Sequence, residues 1–315
     1  MRPVFFGSVL GIGGLANGWR AVTRLWDITP VIGEALAVAA FGLWLLWAVL
    51  YAGKWLLHPA EAKSELDHPV QGLAAALAPV ATLIASLCIG PHVPVIGWAL
   101  FIGGAGGVLA YAAWSVGGLW QGGREAPAIT PVLYLPTVGG GFVSALACAT
   151  FGQPTLGWMF FGMGMLSWLS MESVFLTRLF QLGLPAEMRA TLGIEFAPPV
   201  VACVAYLSLT PGTADHFALA LFGYGCFLAL VLLRLVPWLR RQPFGPGAWA
   251  YTFGVSALPL AALKLVEQGA GTTIELMALP FFAAANAIIG WIALRSVVQI
   301  GRFLRGVSAP VAASG

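Results

Sequence analysis

Apolar stretches of membrane-spanning length recur ten times along this chain, with short polar loops between them. They fall at about 4–23, 33–57, 69–89, 94–120, 131–151, 155–179, 189–210, 215–238, 246–267 and 274–299, each near the roughly 20 residues a helix needs to cross a bilayer core. In lipid every backbone N–H and C=O must be paired within protein, so such a run has to be helical. Only 9% of residues are charged, where a soluble domain carries about a quarter. Too little polar surface remains to cover a soluble fold. The sequence predicts an all-α integral membrane protein with ten transmembrane helices.

Residues 1–301 read as one transmembrane domain and 302–315 as a flexible tail, since GVSAPVAASG has little to bury. The longest polar stretch, HPAEAKSELDHP at 58–69, is expected to be a loop. Arg2 followed by apolar residues imitates a signal peptide, but no small-residue cleavage site closes it, so the first run is kept as a span.

Ten spans put alternate loops on opposite sides, and the cations test that count. Twelve Lys and Arg fall on the side holding the N-terminus, against three (Arg20, Arg24, Lys264) on the other. Cytoplasmic loops carry the excess of Lys and Arg, so both termini are expected in the cytoplasm. A net charge of +3, scattered over the loops, gives no basic patch for nucleic acid.

Prolines add a second regularity. Pro79, Pro136, Pro198 and Pro259 each sit near the middle of an odd-numbered span, 57, 62 and 61 residues apart. The first span carries Gly7, Gly11, Gly13 and Gly14 instead. A fixed period suggests a repeated unit, and a mid-helix proline removes one hydrogen bond and bends the helix. Five hairpin repeats, each with one pliable inner helix, would place five inner helices around a central pore. Commonplace membrane prolines are the plainer explanation of the same residues.

Several stretches imitate chemistry. GIGGLANG at 11–18 has the glycines of a dinucleotide loop but lies within a span, where close helix packing accounts for them. TVGGG at 137–141 lacks the tyrosine of a potassium filter. Cys88, Cys148, Cys203 and Cys226 lie singly in apolar runs, as packing residues. His58, His68, His92 and His216 fall in loops without ligand spacing, so no metal or other cofactor is expected. No nucleophile or acid–base constellation points to an enzyme.

Charges inside spans are costly and therefore informative. Glu34 and Arg295 lie near helix ends, where snorkelling suffices. Glu172 reads as a hydrogen-bonding or ion-pairing group between helices. Glu195, on a proline-bearing helix assigned to the pore, is either a buried structural acid or a pH-sensitive, gating group.

The ninth span, PGAWAYTFGVSALPLAALK from Pro246, has one aromatic at its heart, Phe253, followed by Gly254 and flanked by small residues. Phe253 reads as either a plug in a narrow pore or an ordinary packing residue.

LWQGG at 119–123, YLP at 134–136, RATLGIEFAPP at 189–199, GYG at 223–225, LLRLVPW at 232–238 and WAYTFG at 249–254 occur in order. In this ordered set the chain resembles the tellurite-resistance/dicarboxylate transporter family, whose bacterial TehA branch is homologous to the plant guard-cell slow anion channels. The resemblance implies ten helices in five hairpins around a pore, a homotrimer with one pore per subunit, and a bacterial inner-membrane location. It puts the occluding phenylalanine at Phe253, with Gly11, Pro79, Pro136, Pro198, Gly254 and Pro259 as pore-lining or kink residues. Small anions such as chloride and nitrate, and membrane lipid, would be its partners; passive conduction is expected, with export of dicarboxylate, sulfite or tellurite-type oxyanions as the alternative. Where bacterial relatives have a proline in the first span this chain has Val9, and relatives are apolar at Glu195.

Overall fold

Proline has no N–H to close a helical turn, and its ring clashes with the preceding turn. The chain answers this by tightening or widening the turns through which certain helices begin. The computed structural model of the protein describes residues 1–304, which excludes most of the expected tail. A 3-10 turn at Pro3–Phe6 leads into α1 (Gly7–Trp26), and one at Gly72–Ala76 leads into α4 (Leu77–Ile89). A 3-10 turn at Pro131–Leu133 and a π-helical turn at Leu135–Gly139, which holds Pro136, precede α6 (Gly140–Thr150). The 3-10 segments Ala186–Thr191 and Pro246–Ala248 open α8 (Leu192–Leu209) and α10 (Trp249–Glu267).

The helices between them run without such entries: α2 (Val31–Leu57), α5 (Pro94–Trp120), α7 (Pro154–Leu182), α9 (His216–Leu239) and α11 (Thr272–Leu304). Among the described residues there is no strand, and nine segments are long and apolar enough to cross a membrane. α1 is 20 residues long, with five glycines and two arginines in its sequence, and is not one of the nine.

Burial separates the helices into two sets. In the segments containing α4, α6, α8 and α10, 67% to 83% of the apolar window is buried, against 11% to 33% in α2, α5, α7, α9 and α11. The buried set and α1 close a ring, α1–α4–α6–α8–α10 and back to α1, and each of its members also packs on the helix that follows it among the outer set. The outer faces carry leucine, valine and tryptophan, the side chains lipid would solvate.

The stretch expected to be a loop at 58–69 is instead helical. Pro59–Asp67 forms α3, with proline in its first turn and Glu61 near its positive end. It folds back so that Glu65 pairs with Lys54 of α2, and Ala62 is buried. His58, which precedes α3, and His68, which follows it, remain at its ends, and the His68 ring accepts from the backbone N–H of Val70 and Gln71.

Several of the charges inside spans find partners. Arg20 forks onto Glu34, with N–O contacts of 2.8 and 2.7 Å, and donates to the carbonyls of Leu87 and Cys88. His92 meets the same carboxylate at 2.7 Å. Arg295 lies over the rings of Phe244 and Trp291. Arg178 donates to carbonyl oxygens of Gly183 and Pro127 rather than to Glu172. The four cysteines are free thiols.

Candidate functional site

The ring encloses a cavity of about 140 Å³, reached from the end at which its five helices begin. Part of its wall is built by the entry turns: Val4, Ala74, Val132, Ala190 and Gly247 of the 3-10 segments and Leu135 of the π-helical turn all line it. The lining is apolar except for Tyr134, Glu187 and Thr191. The deepest lining residue on each helix is Leu10, Val80, Phe142, Val201 or Phe253, and together these five form its floor.

Two aromatic rings thus meet the floor, and burial separates their roles. Phe142 is fully buried, its ring against the backbone of Gly164 on α7 and 5.5 Å from Phe161. Phe253 is only half-buried, although Thr252 and Gly254 on either side of it are buried. A Cβ at Gly254 would lie 2.5 Å from the Phe196 ring of α8, while Thr252 and Ser256 fill the notches at Gly11 and Gly14 of α1. Those contacts draw α10 tight against both neighbours, and Phe253 points between them into the space.

The other residues singled out in the sequence are distributed by this packing. Pro198 lines the cavity. Gly11 and Gly254 are helix-contact residues, and Pro79, Pro136 and Pro259 lie in the inner helices without contributing to the lining. Phe142 was not picked out in the sequence, because one phenylalanine after TVGGG has no local mark distinguishing wall from core.

Glu195 is buried and off the cavity wall, and its Oε2 has no hydrogen-bond partner. It lies against Glu172 and Tyr134. Tyr134 turns its ring to the cavity and donates its hydroxyl to Glu172 Oε2 at 2.9 Å; Trp168 Nε1 donates to the same oxygen at 2.8 Å. Tyr224 reaches the other oxygen at 3.3 Å. A pair of acids therefore sits between α7 and α8, one tyrosine away from the cavity. Among the described residues no cluster of three metal-ligating side chains occurs.

A sequence profile of the voltage-dependent anion channels, the SLAC1 family, matches residues 1–297. The chain belongs to that family. It is 32% identical over 297 residues to the tellurite resistance protein TehA homolog of Haemophilus influenzae, covering 94% of this chain and 90% of that one. It is 25% identical over 307 residues to the guard cell S-type anion channel SLAC1 of Arabidopsis thaliana, covering 90% of this chain and 53% of that protein. With S-type anion channel SLAH2 of the same plant it shares 24% identity over 327 residues, 98% of this chain and 62% of the relative. The plant proteins are thus much longer, whereas the bacterial relative is matched over nearly its whole length. Family membership and the nine membrane-length helices make the protein a multi-pass membrane protein.

Proposed function

We propose that the protein is a passive anion channel, conducting small monovalent anions such as chloride and nitrate along the axis of the five-helix ring. The carrying observation is Phe253, a half-buried aromatic on the floor of an apolar cavity that five helices bound. A ring across a narrow apolar passage stops ions sterically and by dewetting. In this reading α1 is the tenth span and the helices form five hairpins with cytoplasmic termini, so the cavity is the cytoplasmic vestibule. The subunits form homotrimers in the bacterial inner membrane, each with its own pore.

The wall supports weak selectivity. A bare anion in low dielectric costs many kcal/mol, and no cation is among the side chains lining the vestibule. The positive ends of the inner helices lie at this level and favour anions modestly. Permeation would then follow dehydration cost, with chloride and nitrate passing and divalent oxyanions excluded. The test is a voltage clamp of purified protein in a bilayer under a chloride gradient. Unitary currents reversing near the chloride potential are expected in Phe253→Ala, and their absence would overturn the channel reading.

One observation favours a second reading, a transporter of dicarboxylate, sulfite or tellurite-type oxyanions. Coupled carriers use buried acids, and Glu172 and Glu195 supply a pair behind Tyr134. If Glu195 senses pH or gates, Glu195→Gln flattens the dependence of current or uptake on pH. An unchanged curve returns Glu195 to a structural role.

A further inference from the structure

The three cations of the non-cytoplasmic side are not equivalent in the fold. Arg20 is neutralised by Glu34 at 2.7 Å and Arg24 by Glu267 at 2.8 Å. Lys264 is half-buried in the last turns of α10, and among the described residues its ammonium makes no ion pair or hydrogen bond. Its charged and titratable surroundings are Arg24 on α1, Cys203 on α8 and Glu267 on its own helix. The one acid among them is already held by Arg24.

Helical phase gives the direction of this side chain. Around Phe253, Gly254 abuts α8, Thr252 and Ser256 abut α1, and the sector between them opens on the cavity. Lys264 follows Phe253 by eleven residues, which at about 3.6 residues per turn returns to within roughly 20° of the same face, some 16 Å further along. Of the groups around Lys264, Arg24 lies on α1 and Cys203 on α8, the two inner helices that pack on α10. On α1, Asn17 follows Leu10 of the cavity floor by seven residues, about two turns. It is half-buried, and its amide makes no hydrogen bond among the described residues. Since Gly14 meets Ser256, Asn17 stands on α1 between the levels of Phe253 and Lys264.

We propose that Lys264 and Asn17 form an anion-coordinating site on the ring axis, beyond Phe253 from the cavity. An ammonium without a carboxylate partner and a primary amide with free N–H donors replace part of a small monovalent anion's hydration shell. The cavity lining supplies no positive charge, its one ionisable side chain besides Tyr134 being the acid Glu187, so this site is where discrimination against cations is made. The inference rests on the channel reading, and it gives that reading a selectivity element. A lysine whose one neighbouring acid, Glu267, is held by Arg24 suits an anion that must bind and leave.

The test uses full-length protein with Phe253→Ala as background, so that permeation is not limited by the ring. Lys264→Gln should lower chloride conductance several-fold, raise the chloride concentration at half-saturation and admit sodium, read as a shift of the reversal potential away from the chloride potential. Lys264→Arg should retain anion selectivity, and Asn17→Ala should weaken saturation less than Lys264→Gln. Lys264→Met, which keeps the apolar stem, stands in if the glutamine variant does not accumulate. Independently of current, bromide or thiocyanate should raise the melting temperature of protein carrying Lys264 and not of Lys264→Gln or Lys264→Met. If Phe253→Ala passes no anion current, the channel reading falls, and the melting series alone decides the site. Equal saturation, equal selectivity and equal anion-induced stabilisation with and without the lysine would overturn it.

Discussion

Thr252 of α10 occupies the notch left by Gly11 of α1, so closely that a Cβ on Gly11 would lie 2.1 Å from the Thr252 hydroxyl oxygen. That hydroxyl donates to the carbonyl of Trp249 and is fully buried, so it has nowhere to swing. Gly11→Ala should therefore overpack the α1–α10 contact and cost about 1–3 kcal/mol. Thermal melting in detergent or nanodiscs measures it. Thr252→Gly on the same chain, which also removes the Cβ that would lie 2.5 Å from the new methyl, should recover part of the loss; an unaltered melting temperature in Gly11→Ala alone would contradict the contact.

Phe253 offers a contrast of stability with conductance. A closely packed core phenylalanine replaced by alanine costs about 3–5 kcal/mol, but this ring borders an existing cavity. Phe253→Ala should melt close to wild type and carry a much larger basal anion conductance, with Phe253→Leu between. A variant that folds normally yet passes no more chloride than wild type would remove Phe253 as the gate.

Glu172 and Glu195 should behave differently when truncated. Glu172 accepts from Tyr134, Trp168 and Tyr224, and leaving a buried donor without an acceptor costs about 1–3 kcal/mol. Glu172→Ala should lower the melting temperature by several degrees. Glu195→Gln gives the unpartnered position an amide that can donate to Glu172 and should be neutral or stabilising. The reverse order of the two melting temperatures would count against this arrangement.

Asp215 caps α9: its side chain accepts from the backbone N–H of Ala218 at 2.9 Å and from the Tyr206 hydroxyl. The Tyr206 hydrogen bond first, and the Ala218 N–H second, hold its carboxyl below the ordinary value. A lowered folded-state pKa contributes stability above the unfolded value, near 3.9 for aspartate, and that contribution is lost as pH falls through the folded value. Protection of the amides in the first turn of α9, taken relative to their intrinsic exchange at each pH, should therefore fall on acidification below about pH 4. Asp215→Ala should show low protection already at neutral pH and little further loss on acidification; equal protection in both proteins at neutral pH would refute the cap.

Orientation and assembly are measurable directly. A cysteine replacing exposed Arg2 should react with an impermeant reagent only after the inner membrane is opened, and one replacing exposed His92 should react from outside. The opposite pattern would invert the topology. In nanodiscs the mass should be that of three chains, and a stable monomer would exclude the trimer.

The sequence by itself determined what depends on neighbours along the chain. Burial of backbone in lipid makes each long apolar run a helix, and the nine membrane-length segments lie close to where those runs fall. Even so, Pro59–Asp67 became a helix against expectation, because its stability comes from Lys54 on another element as well as from its own residues. The prolines marked the inner helices, since a missing N–H is a local fact; that those helices close a ring is a matter of tertiary packing. Only the packing could decide that Phe253 meets open space while Phe142 is locked against α7, or that Arg24 takes Glu267 and, among the described residues, leaves Lys264 without an ion pair. The α1–α10 distinctions rest on the rotational phase of helices more than two hundred residues apart, which glycine notches such as those at Gly11 and Gly14 fix and no single stretch of sequence contains.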